Sequence, residues 1–447
     1  MNTLVVSLDA VRRDHLGQYG YERDTFPAAD RVVETGSVQY QQAIVNGTYT
    51  GISLPSMLTS RHHGDEAVRD GPTVASALPD EVDTCAIHSN TFFASKFDHI
   101  HGVDVYEDFF GQADHDDDIP LSNRAARRVF DAVRPRLKRL GVFEAARRLQ
   151  ERVLPPSLIH EVAVFESAET TTDRALQFVD STDRDFFAWV HYMDPHRPYA
   201  INADDPAFGP ALDRGDIIDL MAQAGVDPAG VTEDQRRRII DLYDSAIRYT
   251  STHVTRLFDG LHEAGIWDDT AVILTADHGE EFGEHGRYFH RNRPYEELVR
   301  VPLFLRIPGE TTKQETVGEP RELLDVAPTV CRLHGVDPPS SFLGTDLRET
   351  DPRRPLTTGS FRDDGPVVAV RWDNWKYIST DDGPELYDLD ADPHERRNVA
   401  TDHPDRCDEY REVIPHHLLT EDDVGVPDAD EVSEDTQRRL EDLGYLE

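Results

Sequence analysis

The sequence predicts an α/β protein in which a mostly parallel sheet is covered on both faces by helices and followed by a small antiparallel α+β unit. Two patterns predict it. Short β-branched runs alternate with amphipathic stretches from residue 3 to about residue 380. From about residue 350 the texture changes to short strands and turns, VVAVRWDNWKYIST and then DDGPELYDL. Taking the elements in order, residues 3–7 (TLVVS), 84–88 (TCAIH), 186–191 (FFAWVH) and 271–275 (AVILT) read as buried strands. Residues 301–306 (VPLFLR) are a further candidate that starts near a proline and suits a sheet edge. Residues 233–264 read as a long helix, with Ile239, Ile240, Leu242, Tyr243, Ile247 and Leu257 as its apolar positions. In open parallel sheets the ligand site lies at the carboxyl ends of the strands. Asp9 follows the first strand, Asp194 and His196 follow the third, and Asp277 and His278 follow the fourth, so three polar clusters converge on one edge.

Composition narrows the function classes. The 447 residues carry a formal charge of −40, which argues against nucleic acid as a partner, because phosphate binding needs clustered Lys and Arg. Only four residues are lysines: Lys96, Lys138, Lys313 and Lys376. An acidic, lysine-poor, arginine-bearing surface is expected of a halophilic, haloarchaeal-type protein, since at molar salt the Debye length is about 3 Å and the self-repulsion is screened. Cys85, Cys331 and Cys407 are widely spaced, an odd count that forms neither a disulfide framework nor a CxxC metal site. The opening MNTLVVSLDAVRRD has no signal-peptide pattern, and no apolar run reaches the ~18 residues of a membrane span. The expected location is therefore the cytoplasm.

The expected organisation is a catalytic unit over 1–345, a small antiparallel-sheet unit over 346–410, and an acidic tail with a short terminal helix over 411–447. Within the first unit, 121–165 is expected to be a basic helical insertion. Residues 121–155 hold ten basic and three acidic residues, with Ala126, Phe130, Val133, Leu137 and Leu140 at helical spacing. Such a segment suits a docking face for an anionic substrate or peripheral contact with lipid headgroups, and equally an arginine-rich surface helix paired with acidic neighbours. Residues 421–435 hold eight acidic residues, the pattern of a solvated linker.

The segment TADHGEEFGEHG is the most specific chemical signal. The strand AVILT delivers Asp277 and His278 side by side, and Gly279 permits close backbone approach. With Asp9 from another strand end they make a hard O/N donor set suited to a divalent cation. The chain resembles the sulfatase family of the alkaline phosphatase superfamily. VVSLDAVRRDHLGQYG resembles that family's opening, and HYMDPHRPY its middle histidine motif. TADHGEEFGEHG with YEELVRVPLFLRIPG resembles its late metal motif and following strand. LLDVAPTVCRLHGVDPP, then VRWDNWKYI with ELYDLDADPHERRNVA, resemble the later helix and the small C-terminal subdomain. The matches run in order from residue 3 to about 400. The resemblance implies an alkaline-phosphatase-like three-layer α/β/α catalytic domain and a metal-dependent ester hydrolase.

The same resemblance implies the site, residue by residue. The family's nucleophile pattern, C/S-x-P-S-R-x-S-L-L-T-G, corresponds to TGISLPSMLTS here and puts Thr50 at the nucleophile position. Sulfatases convert a Cys or Ser there to formylglycine. Threonine cannot give that aldehyde hydrate, so no formylglycine is expected, and Leu54 replaces the supporting arginine. The family's Gly-Lys-Trp-His motif is replaced by His88, Ser89, Asn90 and Thr91, without the sulfate-gripping lysine. A threonine in this place resembles the superfamily's phosphodiesterases and phospho-alcohol transferases. Thr48 and Ser53 are rival hydroxyls, and Thr50 also suits a helix N-terminus. Asp9, Thr50, Asp277 and His278 are the implied metal set, for Mn²⁺, Mg²⁺, Ca²⁺ or Zn²⁺. The family's second opening Asp is Ala10 here. His196 matches the histidine facing the leaving group, a general-acid candidate. His290 matches an anion-gripping position, and His191 and Asp194 could join His196 and His290 around a second cation. Arg12 could brace a phospho-threonine or Asp9, or pair with Asp14. His285 and Glu281 are expected to support the Asp277–His278 loop. The leading reading is cleavage of phosphoric diesters through a Thr50 covalent intermediate, on a small-molecule, glycan or lipid-headgroup ester. The alternatives are phospho-alcohol transfer, sulfuric-ester hydrolysis without formylglycine, and a silent binding protein. The oligomeric state is left open by the sequence.

Overall fold

The computed structural model describes residues 1–65, 68, 70–90, 100–109, 165–290, 293–310, 315–349, 354–362 and 365–419. Residues 121–164 of the basic insertion, residues 420–447 of the acidic tail with its terminal helix, and Arg291 lie outside the described residues. The central sheet has eight strands in the order Glu315–Val317, Val38–Tyr40, Leu303–Arg306, Thr270–Ala276, Asn2–Leu8, Phe186–Tyr192, Asp83–Ile87 and Val105–Glu107. Leu303–Arg306 runs antiparallel to both its neighbours; the other pairs are parallel. In the three middle strands every residue is buried, which is why they read as continuous apolar runs without alternation.

Residues 301–306 depart from the expectation of one edge strand. Pro302 has no N–H to give a ladder, and the run splits there. Arg300–Val301 pairs with Ala43–Ile44 in a separate three-stranded sheet, while Leu303–Arg306 lies inside the central sheet with two strands beyond it.

Helices complete a three-layer α/β/α domain. The 31-residue helix Glu233–Glu263 starts with a capping box between Thr232 and Gln235 and buries Ile239, Leu242, Tyr243, Ile247, Val254, Leu257 and Leu261. Ala168–Ser181 and Ala28–Glu34 pack beside it. Thr50–Thr59 packs against Val326–Leu333. A four-stranded antiparallel sheet, Leu356–Arg362 to Glu385–Asp388, forms a separate unit with helix Pro404–Glu412 on it. A buried charge cluster ties this unit to the segment after the late metal motif. Glu296 meets Arg371 at 3.0 Å and Lys376 at 3.2 Å, and Lys376 also meets Glu395 at 2.8 Å. Among the described residues no helix is long and apolar enough to cross a membrane.

Candidate active site and metal centre

The two middle strands continue their ladders by one residue, with Asp9 N donating to Tyr192 O at 2.9 Å and Asp277 N to Leu8 O at 3.1 Å. That extension sets both carboxylates at one sheet edge, where Asp9, Asp277 and His278 are all fully buried. Their ligand atoms lie within 4.8 Å of one another, and no other such group of three occurs among the described residues. Asp277 Oδ1 accepts from the amides of Ala10 (3.1 Å) and His278 (2.8 Å). Asp9 Oδ1 and Asp277 Oδ2 are buried without a hydrogen-bond partner of normal geometry among the described residues, a costly state that a cation between them would relieve. His278 Nδ1 lies 2.8 Å from Gly279 O, so it carries the proton and leaves Nε2 with a free lone pair on the carboxylate side. Nε2 stands 3.7 Å from Asp277 Oδ2 and 4.0 Å from Asp9 Oδ1. These residues fit a divalent cation. Burial raises the Asp9 carboxyl, but His196, His191 and His278 outweigh it and hold it at about 2. Asp277 is pushed up, by burial first and by Asp9 in addition.

Gly279 is where the loop needs its glycine. A Cβ there would sit 1.9 Å from Glu297 O, while its own amide donates to Leu298 O at 2.8 Å. Gly279→Ala is expected to destabilise the protein by about 3 kcal/mol, because backbone must move to admit the methyl group. Denaturant unfolding at fixed salt checks this; an unchanged midpoint would contradict the close approach.

Thr50 is the first residue of helix Thr50–Thr59, after an extended Tyr49. Its Oγ1 lies 3.1 Å from Asp9 Oδ2 and 3.3 Å from His278 Nε2. The rival hydroxyls are placed otherwise. Thr48 Oγ1 is bonded to Ser360 Oγ at 2.9 Å, and Ser53 Oγ is buried within the helix without a hydrogen-bond partner among the described residues. His196 and His290 face the same centre, their rings 5.3 Å apart and His290 4.6 Å from His278. His196 Nδ1 lies 2.6 Å from Arg197 O, and burial pushes this imidazole down to about 4. His290 Nδ1 lies 3.2 Å from Glu280 Oε1, whose other oxygen accepts from Tyr199 OH at 2.7 Å.

The remaining implied residues are engaged within the protein. Arg12 binds Asp14 through two nitrogens at 2.9 and 2.8 Å, Glu284 at 2.6 Å and Glu280 O at 3.1 Å, so it braces the Glu280 loop. Asp194 accepts from Asn202 at 2.9 Å, and the Ala168 amide also stabilises it at the start of helix Ala168–Ser181. His191 Nε2 stands 3.4 Å from Asp9 Oδ2 and its Nδ1 lies 2.9 Å from Ser7 Oγ. Trp189 Nε1 can only donate, and it donates to Ser7 Oγ at 2.8 Å, which leaves the Ser7 proton for Nδ1 and puts the His191 proton on Nε2, toward Asp9. His285 stacks on Tyr295 at 3.7 Å and meets Glu297 at 3.1 Å, while Glu281 is fully buried with both oxygens without a hydrogen-bond partner among the described residues.

Sequence reasoning missed Glu280, Tyr199 and Arg197. Glu280 follows the Asp-His-Gly run directly and Tyr199 closes HRPY, so adjacency was the available signal. Burial pushes the Glu280 carboxyl up to about 7. Arg197 lies over the Phe289 ring at 4.8 Å, and its charge helps to lower His196.

Comparison with known proteins bears on the family and the fold. The choline-sulfatase of Rhizobium meliloti (strain 1021) is 30% identical over 246 residues, 49% of this chain and 47% of the relative. The multifunctional alkaline phosphatase superfamily protein PehA of Trinickia caryophylli is 27% identical over 292 residues, 53% of this chain and 56% of the relative. The matched region thus spans about half the length of these curated relatives. Among solved structures, a protein in complex with its substrate D-glucosamine-2-N,6-O-disulfate superposes with a TM-score of 0.67 at 16% identity, covering 96% of this chain and 99% of the other. The phosphonate monoester hydrolase of Silicibacter pomeroyi gives a TM-score of 0.65 at 18% identity over 98% and 99%. These two show the shared fold. The family described as Sulfatase matches residues 1–336, and the chain belongs to the sulfatase family.

Proposed function

We propose that the protein is a metal-dependent hydrolase of phosphoric diesters that works through a covalent intermediate on Thr50. The observation that carries this reading is the position of Thr50 Oγ1, 3.1 Å from Asp9 Oδ2 and 3.3 Å from His278 Nε2, at the start of a helix. A bare hydroxyl is a poor nucleophile; a divalent cation held by Asp9, Asp277 and His278 supplies the lowering of its pKa and charge neutralisation at the phosphorus centre. The side chains divide the remaining work. Thr50 Oγ1 loses its proton to solvent and attacks phosphorus in line, the P–O bond to one alcohol breaks, and that alcohol leaves with a proton. Water then attacks the phospho-threonine, releasing a phosphate monoester and restoring Thr50. The helix N-terminus favours the anion at this position. His196 is neutral in the free protein, because burial holds it near 4. An anionic ester beside it raises its pKa and makes it the proton donor to the leaving alcohol. His290, held by Glu280, which Tyr199 in turn steadies, contacts the same oxygens.

A second reading, sulfuric-ester hydrolysis without formylglycine, is favoured by the choline-sulfatase similarity. The diester reading is preferred because a sulfo-threonine has no aldehyde hydrate to expel sulfate. A diester also carries a single negative charge, which one cation with His196 and His290 can balance. A monoester dianion would want a second cation or an arginine clamp. Arg12 is engaged by Asp14 and Glu284, and Arg287 is exposed. The test is a screen of bis-aryl phosphate, aryl phosphate, phosphonate monoester and aryl sulfate with Mn²⁺, Mg²⁺, Ca²⁺ and Zn²⁺ at molar salt. The expected order of kcat/KM is diester, monoester, sulfate. An aryl sulfate turned over fastest would overturn it. The charge of −40 further supports a halophilic protein, whose unfolding midpoint should rise from about 0.1 to about 3 M KCl as self-repulsion is screened; a flat or falling midpoint would contradict that.

A further inference from the structure

Ala10, where the family resemblance expects a second acid, has a different job. Its φ is +56°, a left-handed conformation that glycine enters freely and alanine does not. The residue links the two carboxylates of the metal centre, since it follows Asp9 and its amide donates to Asp277 Oδ1 at 3.1 Å. One side chain clamps it from both sides. The Tyr243 hydroxyl donates to Ala10 O at 2.7 Å and accepts from Arg12 N at 2.8 Å. Tyr243 is fully buried in helix Glu233–Glu263, with its ring edge-on to His15 (5.2 Å), Tyr199 (5.2 Å) and Phe282 (4.8 Å). The next residue, Asp244, fixes the helix to the 13–25 segment independently of that hydroxyl, through His15 at 2.7 Å, Tyr21 at 2.7 Å and Arg23 at 2.8 Å. The ring and Asp244 therefore place the helix, and the hydroxyl has only the strained turn to hold.

We propose that Tyr243 is a positioning residue whose hydroxyl holds the turn at residues 9–12 in its left-handed form and so keeps Asp9 and Asp277 at cation-binding separation. The inference rests on the metal centre proposed above. The test is Mn²⁺ titration calorimetry at molar salt on the full chain and on Tyr243→Phe, with the unfolding midpoint of each metal-free protein measured alongside. Phenylalanine keeps the ring packing and loses both hydrogen bonds. The Mn²⁺ Kd is expected to weaken about tenfold to a hundredfold. In the double variant Tyr243→Phe, Ala10→Gly, glycine adopts the positive φ without strain, so at least half of the lost affinity on a logarithmic scale should return. A merely structural role would lower the unfolding midpoint, leave Kd unchanged and gain nothing from glycine. Wild-type Kd in Tyr243→Phe, or no recovery in the double variant, overturns the proposal. Should the single variant fail to fold, a double variant that folds but binds Mn²⁺ more than a hundredfold weaker than wild type overturns it too. If the wild-type chain takes up no Mn²⁺, the metal reading itself has failed, and this inference falls with it.

Discussion

Thr50→Ala is expected to lower turnover by about a thousandfold or more, because the variant lacks the only atom proposed to form a bond to the substrate. Divalent-cation affinity should change far less, since Asp9, Asp277 and His278 all remain. Fold and stability should also hold. Thr50 is fully buried, but its hydroxyl does not cap the helix, whose N-cap is Tyr49. The measurement is a paired comparison of kcat and of Mn²⁺ binding on the same preparations. A variant retaining more than about a tenth of wild-type turnover would remove Thr50 from the nucleophile role. Ser53 would inherit it first, because Thr48 is already bonded to Ser360. Loss of both activity and metal would mean that the hydroxyl is mainly a ligand.

The strands that build this site were legible because they are buried on both faces. Such strands carry an unbroken β-branched signal, and each of the three middle ones has a charged or imidazole group just past its carboxyl end. The run 301–306 was misread for a local reason. A proline at its second position suits an edge, and only the long-range pairing of Leu303–Arg306 with Val38–Tyr40 shows that the strand lies inside the sheet. The candidate metal donors were legible from adjacency, Asp277 beside His278, together with a strand-end Asp. What escaped was the support around them. Tyr243 lies 233 positions from Ala10, and Glu280 bonds Tyr199 across 81 positions. An apolar helical pattern makes Tyr243 look like one more core residue. The pairing of Arg12 with Asp14 could be read at a separation of two, whereas its contact with Glu284 depends on tertiary structure.

Asp277→Asn and His278→Ala are each expected to lose bound divalent cation together with activity, unlike Thr50→Ala. Each removes a donor from a group of three whose atoms lie within 4.8 Å. The amide side chain introduced by Asp277→Asn would keep an oxygen for the backbone N–H groups of Ala10 and His278 while losing the charge, so that variant isolates the electrostatic part of binding. Removing the His278 ring leaves the two carboxylates facing one another with no imidazole between them. Affinity in either variant should fall by about a hundredfold or more, with kcat falling in step because the Thr50 hydroxyl is no longer activated. The same site sets a pH dependence. Burial alone would lower His278, but Asp277 and Asp9 outweigh it and raise its pKa above the ordinary imidazole value. Asp277 is raised as well, chiefly by burial. Both groups must be deprotonated at the donor atom to bind a cation. Apparent affinity should therefore climb with pH through the raised His278 value, and fall progressively below it as first the imidazole and then the Asp277 carboxyl take up protons. In His278→Ala the upper part of that climb should vanish while the carboxylate part remains. Full metal occupancy in both variants, or a wild-type affinity that stays flat from about pH 8 to about pH 5, would remove Asp277 and His278 from the metal centre.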